Sequence, residues 1–182
     1  MITAAAVLAA GRSKRFGAED KLLAVFKGQP LGAYVAQAID RLDIEHHMVA
    51  YRSEQLLTVF DGFESIHANA RQSDSLKACV KRAKELGVDR LLVALADMPF
   101  VETVHFERLL ACDPACISAL SDGIRASVPA CFPNTAFDAL LKIDGDIGAR
   151  DILQAEDVVR VDVAPEILND IDTPAALSRY SN

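Results

Sequence analysis

Hydrophobic positions recur along this chain with strand-like and helix-like spacing in turn. Met1 to Leu8 carries Ile2, Val7 and Leu8 with alanines between and no charge, which predicts a strand buried on both faces of a sheet. Leu22 to Phe26 is a short apolar piece and Lys27-Gly28-Gln29-Pro30 a turn, after which Leu31, Val35, Ala38, Ile39 and Leu42 follow helical spacing. His46 to Tyr51 predicts a second strand, Ser53 to Phe60 a helix opened by a serine cap, and Phe63 to His67 a third, edge-prone strand. An amphipathic helix runs through Val80, Ala83 and Leu86, with Ser73 or Asp74 as its natural cap. Arg90 to Ala96 has the character of a central strand, and Asp97-Met98-Pro99 ends it abruptly because proline cannot continue a central ladder. Glu102 to Cys112 predicts a helix, Ala115 to Leu120 a strand, Ser121-Asp122-Gly123 a turn, and Ala126 to Phe132 a strand whose Pro129 argues for an edge or irregular position. Phe137 to Leu141 is helical, another helix follows Arg150, Val158 to Val163 alternates as a last strand, and a short helix passes through Leu177.

Strands alternating with helices predict an α/β domain of three layers, Rossmann-like, with a mostly parallel central sheet and one antiparallel strand. Its ligand site belongs over the C-terminal ends of the strands, where Asp97 sits exposed at the end of Arg90 to Ala96. The 182 residues fit one domain spanning 1–182, and 51% hydrophobic residues are enough for a sizeable core. No internal repeat or low-complexity tract interrupts it.

Net charge is −7, so the bulk surface should repel nucleic acid and anionic membrane. The distribution is uneven. Residues 1–30 hold Arg12, Lys14, Arg15, Lys21 and Lys27 against Glu19 and Asp20, whereas residues 142–182 hold nine carboxylates against four cations. A basic start and an acidic end suit one site holding phosphate and a divalent metal. Cys79, Cys112, Cys116 and Cys131 form no C-x-x-C pair and are expected to be small buried hydrophobes in a reducing compartment. With no apolar run near the ~20 residues that span a bilayer, the expectation is a cytoplasmic protein. His46, His47, His67 and His105 are expected to be ordinary surface or core histidines.

Leu8 to Lys21, LAAGRSKRFGAEDK, joins the first strand to a loop rich in cation and glycine. Amides between Gly11 and Gly17 can turn inward around an anion, with Arg12, Lys14, Arg15 and Lys21 as countercharge. Neither the P-loop nor the dinucleotide spacing occurs, and taken alone the loop fits an ordinary solvated βα turn equally well. Asp97 alone fits a cap or turn former, and Asp172 fits a cap for a helix whose first turn holds Pro174. In an extended segment, however, Asp170 and Asp172 would point the same way and offer oxygen ligands suited to magnesium. Asp144 to Arg150 contains glycines before a helix and could serve either as a plain turn or as an anion site in which Arg150 takes part.

L-A-A-G-x-S-x-R-x-G with a later lysine, at Leu8, Ala9, Ala10, Gly11, Ser13, Arg15, Gly17 and Lys21, resembles the signature loop of the MobA-like nucleotidyltransferases, the group that includes molybdenum cofactor cytidylyltransferase. Further motifs resemble the same family in order: Ser73-Asp74-Ser75-Leu76, L-A-D-M-P around Asp97, G-D-x-G-A-R ending at Arg150, and N-D-I-D-T-P from Asn169. The family's Gly-Met before the serines is replaced by Arg71-Gln72, and its glycine and histidine in the Ala126 strand by Ala126 and Ser127.

The resemblance implies a nucleotidyltransferase fold and transfer of CMP from CTP to the phosphate of molybdopterin, with release of pyrophosphate. It implies that Leu8, Ala9, Ala10, Gly11, Arg12, Ser13, Lys21 and Ser75 bind the nucleotide, and that Lys21, Arg15 and Asp97 are catalytic. Asp97 and Asp172, with Asp170 as second choice, would bind Mg2+. Asp146, Gly148 and Arg150 would line the acceptor pocket. The A-A-G loop implies cytidine where A-G-G implies guanosine, and the partners implied are CTP, molybdopterin and a molybdoenzyme client or chaperone.

Three other functions compete. One is nucleotidyl transfer from another NTP or to another phosphorylated acceptor. A second is a glycosyltransferase using sugar nucleotides, since D-x-D occurs at Asp144/Asp146 and Asp170/Asp172. The third is a nucleotide-binding regulator without turnover.

Overall fold

The computed structural model describes residues 1–11, 14–17, 20–69, 71–143 and 149–181. The first strand, β1 (Thr3–Leu8), is buried at all six positions. Its alternation divides the core, with Ala5, Val7 and Ala9 in one apolar cluster and Ala4, Ala6, Leu8 and Ala10 in the other. Alanine on both faces lets helices approach the sheet closely at this strand. Next come a 3-10 turn at Lys21–Leu23 and a small hairpin of β2 (Val25–Phe26) and β3 (Gln29–Pro30). Lys27 and Gly28 at its tip both have positive φ, +44° and +92°, the signature of a tight hairpin turn in which glycine relieves the strain.

The helix α1 (Ala33–Asp40) buries Val35, Ala36, Ala38 and Ile39, the face that the spacing predicts. After β4 (His46–Tyr51), the predicted serine-capped helix is a 3-10 turn at Glu54–Thr58, in which Ser53 makes no capping hydrogen bond. β5 (Glu64–His67) follows, then α2 (Gln72–Glu85). The N-cap of α2 is Arg71, two or three residues before the predicted Ser73 or Asp74. Both of those lie inside the first turn, and Ser73 is fully buried.

β6 (Arg90–Leu95) leads to α3 (Thr103–Leu110), which is opened by a reciprocal box: Glu102 N–H donates to His105 Nδ1 at 2.9 Å. The buried Arg90 donates to the carbonyls of Leu110 (2.9 Å) and Leu109 (3.4 Å). It thus places a cation at the negative end of the α3 dipole. The remaining elements are β7 (Ser118–Ser121), β8 (Ala126–Pro133), α4 (Phe137–Leu140), α5 (Arg150–Leu153), β9 (Val159–Asp162) and α6 (Pro174–Ser181).

The sheet order is β5-β4-β1-β6-β8-β7-β9. Among the described strands of this sheet, only β8 runs antiparallel to its neighbours. Helices α1, α3 and α6 contribute to one apolar cluster and α2, α4 and α5 to the other, which makes the three layers. Of the two positions expected for the Pro129 strand, edge or irregular, the structure shows the second, since β8 lies between β6 and β7 and its ladder is interrupted. Pro129 is tolerated there because pairing with β6 ends at Ala130, and the register with β7 shifts between Ala119 and Leu120. The missing N–H therefore falls in an irregularity and not in a regular ladder.

Two of the four cysteines depart from the expectation of burial, since Cys112 and Cys116 are partly exposed. Burial pushes the Cys79 thiol up to about 12. Burial also raises Cys131, to about 11, against the opposing charge of Arg90. Thiolate is the reactive form. In the native protein at mildly alkaline pH, Cys112 and Cys116 should react readily with a disulfide reagent such as Ellman's, and Cys79 and Cys131 only on unfolding. Fast reaction of all four native thiols would contradict the packing described.

Candidate active site

From β1 the chain moves outward to β4 and β5, then returns to place β6 on the other side of β1. The order of connections reverses at β1, and such a switch point opens a crevice at the strands' C-terminal ends. A cleft of about 970 Å³ occupies that place. The ends of β1 (Leu8 to Gly11), β5 (His67 to Asn69) and β6 (Leu95 to Asp97) line it, as do Arg52 just after β4, the start of α2, and Lys21, Asp170 and Asp172.

Lys21 is fixed by its own turn. Asp20 accepts a hydrogen bond from Leu22 N at 3.1 Å, and the buried Leu22 anchors the turn in the core. Gly32 N donates to Leu22 O at 2.9 Å, and a Cβ on Gly32 would already touch Leu22 Cβ at 3.4 Å. Close approach of α1 thus holds the lysine backbone.

Asp97 stands just past the ladder between β1 and β6, which is extended by Ala96 N donating to Leu8 O at 3.2 Å. Its role is not helix capping, because Glu102 caps α3. Ile171 is fully buried and donates its N–H to Asp97 O at 3.0 Å, with Asp170 and Asp172 on either side. Nor does Asp172 cap α6: Thr173 Oγ1 accepts from Ala176 N at 3.1 Å and does that work.

The ammonium of Lys21 lies 2.5 Å from Asp97 Oδ2 and 2.5 Å from Asp172 Oδ1. Burial acts to lower the pKa of Lys21, but the two carboxylates together outweigh it and hold the lysine above its ordinary value. Lys21 is therefore a permanent cation at neutral pH. Arg15 Nη1 is 3.8 Å from Asp172 Oδ2, with both side chains largely open to solvent, so this contact contributes little.

Asp97, Asp170 and Asp172 each offer an oxygen, and these oxygens lie within 4.8 Å of one another. Burial, then the charges of Asp172 and Asp97, raise the Asp170 carboxyl above its usual range. Asp97 Oδ1 is buried without a hydrogen-bond partner among the described residues. A crowded set of hard oxygens with one orphaned acceptor fits a divalent cation such as Mg2+ or Mn2+.

Other predicted site residues fall variously. Leu8, Ala9, Ala10, Gly11 and Ser75 line the cleft. The Ser75 hydroxyl is turned to the carbonyls of Arg71 and Asn69 (3.3 and 3.4 Å), so it ties the loop before α2 in place. Arg12, Ser13, Asp146 and Gly148 lie outside the described residues. Arg150 is exposed at the start of α5 and is not among the described residues that line the cleft. Sequence reasoning passes over Arg52 and treats His67 as an ordinary histidine, yet both border the cleft. Their place at the ends of β4 and β5 was the available signal.

Comparison with known proteins identifies the family and the fold. A family model described as MobA-like NTP transferase domain matches residues 5–161. The chain is 30% identical over 186 residues to the purine catabolism protein PucB of Bacillus subtilis strain 168, covering 92% of this chain and 90% of that protein. Its structure is similar to that of Rv0371C in complex with manganese from Mycobacterium tuberculosis H37Rv, with TM-score 0.83, 19% identity, and 100% and 98% of the two chains covered. A nucleotidyl transferase from Methanothermobacter is also similar, with TM-score 0.81, 21% identity, and 99% and 96% covered.

Two mutational outcomes follow from the charge cluster. Lys21→Ala leaves the partly buried Asp97 without that cation; breaking a fully buried pair costs about 3 to 5 kcal/mol, and this one, open on the Asp172 side, should cost less. Melting temperature should fall, nucleoside triphosphate affinity should fall at least about tenfold, and adding Asp97→Asn should return part of the lost stability. Strictly additive melting losses, or unchanged triphosphate affinity, would remove Lys21 from this role. Asp97→Asn and Asp172→Asn should each reduce turnover more than nucleotide affinity, as seen by comparing kcat with the dissociation constant at limiting magnesium. Wild-type rates in both variants would exclude a metal role.

Proposed function

Because the chain belongs to the MobA-like NTP transferase family, we propose that it transfers CMP from CTP to the phosphate of molybdopterin. An oxygen of the acceptor phosphate forms a bond to the α-phosphorus of CTP, the bond from that phosphorus to the bridging oxygen breaks, and its electron pair leaves with pyrophosphate. The observation that carries the reading is Lys21 set between Asp97 and Asp172 at the mouth of the crevice after β1.

Such chemistry needs positioning and charge compensation more than a nucleophile on the protein, because the acceptor phosphate is already ionised. Lys21 and Arg15 offset the charge that builds on pyrophosphate. Asp97 and Asp172, with Asp170 as the further ligand, would hold Mg2+. When bound, the metal supplies neutralisation of the phosphate oxygens. The backbone from Leu8 to Gly11 forms the wall against which the nucleotide lies, and Ser75 keeps the opposite loop in place. Asp146, Gly148 and Arg150 are proposed to meet the acceptor.

The preference for cytidine rests on Ala9-Ala10-Gly11. Ala10 is a cleft residue with only 1% of its surface exposed, and its methyl belongs to the same apolar cluster as Ala68 and Leu76. A glycine there would remove material from the wall and leave room for a purine. The name of the Bacillus relative ties that protein to purine catabolism, so an enzyme of purine breakdown is the first client to test as recipient of the product.

A thermal-shift panel of CTP, GTP, ATP and UTP with magnesium reports relative affinity, and pyrophosphate release reports turnover. CTP should stabilise the protein most, and kcat/KM should favour CTP over GTP by roughly tenfold to a few hundredfold, the value of one methyl-sized contact. Ala10→Gly should narrow that gap. A wild-type preference for GTP would overturn the cytidine assignment and direct attention to Arg71 and Gln72. Release of a nucleoside diphosphate from a sugar nucleotide, in place of pyrophosphate from an NTP, would overturn nucleotidyl transfer.

A further inference from the structure

We infer that Tyr180 is a positioning residue for the metal-binding carboxylates, the last member of an aromatic clasp that ties together the three segments carrying the site's charges. The inference rests on the divalent-metal reading of Asp97, Asp170 and Asp172. Each charged segment has an aromatic ring close behind it in sequence or contact. Lys21 is followed by the hairpin with Phe26, and Asp97 by Phe100. Asn169, directly before Asp170, donates its side-chain N–H to the Tyr180 hydroxyl at 3.2 Å.

The rings meet edge to face in a row. Phe26 and Phe100 have centroids 6.0 Å apart at 88°, and Phe100 and Tyr180 have centroids 5.1 Å apart at 69°. Phe26 is 1% exposed and is further held by Tyr34, at 5.3 Å and 71°, whose hydroxyl donates to Phe26 O at 2.9 Å. Such edge-to-face pairs add to the burial of each ring and help to hold α6 against the hairpin.

The geometry gives the clasp a purpose beyond packing. The Asp170 to Asp172 segment is irregular, and the bond from Ile171 N to Asp97 O holds it at its middle. That bond and the fully buried Ile171 side chain fix the middle of the segment, while its start, where Asn169 N bonds back to Glu166 O at 3.3 Å, follows the preceding turn. The contact between Asn169 and Tyr180 supplies a second point at its start, and α6 turns back from Thr173 to deliver that tyrosine. Held at two points, Asp170 and Asp172 keep a fixed aim relative to Asp97. Outer contacts of this kind govern metal affinity when they orient the ligands.

The experiment uses the full chain and Mn2+ alone as probe, with free Mn2+ followed by electron paramagnetic resonance for wild type, Tyr180→Phe and Tyr180→Ala. Tyr180→Ala should raise the Mn2+ dissociation constant about tenfold, and Tyr180→Phe, which keeps the ring contact with Phe100 but loses the hydroxyl that accepts from Asn169, should raise it by about threefold or more. In turnover, the half-maximal Mn2+ concentration should shift by the same factors, and most of the rate should return at saturating Mn2+. If Tyr180→Ala fails to fold, Tyr180→Leu keeps apolar bulk without the ring edge or hydroxyl and should show the same tenfold shift. A folded Ala or Leu variant with wild-type Mn2+ affinity overturns the clasp, whatever its melting temperature. Wild type that binds no Mn2+ is a different result: it overturns the metal reading itself.

Discussion

The ammonium of Lys21 between Asp97 and Asp172 is the contact on which the cleft depends. It joins positions 76 and 151 residues apart in sequence, so it forms only when the loop after β1, the end of β6 and the segment before α6 have all been placed. Electrostatics alone cannot place them, because bringing carboxylates and an ammonium out of water costs about as much as their attraction returns. Apolar contacts do the placing: Leu22, Ala96 and Ile171 are each buried and sit one residue from a charged partner. Near the cluster, Asp97, Asp170 and Asp172 face Lys21 and Arg15, three carboxylates against two cations. That surplus of negative charge suits a divalent ion and opposes a bare triphosphate, so the proposed metal and nucleotide would match the site better together than one at a time.

The sheet supplies the rigid frame. β1 lies between β4 and β6 with every position buried, and its alanines let both helical layers close in without wide gaps. A loop leaving such a strand begins from a fixed point, which is what a phosphate-binding backbone needs if its amides are to keep their direction. The same strand sets the position of Asp97 through the bond from Ala96 N to Leu8 O. The two halves of the site are therefore neighbours in the ladder before any charged group is considered.

Much of this frame was legible in the sequence, because periodicity reports burial directly. The uncharged run of β1, the helical spacing from Leu31 to Leu42, and the proline that stops β6 each reflect one local rule. Lys21, Asp97 and Asp172 were legible by motif, although nothing local reveals that they meet. Alternatives stayed open, or errors arose, where a local rule had more than one structural solution. Pro129 excludes a regular ladder position but permits an irregularity inside the sheet, and β8 uses one. Ser53, Ser73 and Asp74 are good capping residues by type, yet the chain starts α2 at Arg71 because Ser75 ties down the loop before it. Asp172 had a capping alternative that Thr173 removes. The row from Phe26 through Phe100 to Tyr180 could not be seen at all, since isolated aromatics carry no sign of their partners.

Charge also operates on two length scales here. The protein as a whole is acidic, at −7, and repels anions at a distance, but at physiological ionic strength that field fades over about 8 Å. Lining the cleft are Lys21, which is largely buried so that screening is weak, and Arg52 and Arg71, which are exposed and act only at close range. An anion therefore gains only after it has entered. A triphosphate whose charge is partly cancelled by a divalent ion meets less of the outer repulsion and, once inside, brings positive charge to three carboxylates that outnumber the cations beside them. The acidic exterior and the mixed-charge interior thus favour the same form of the substrate.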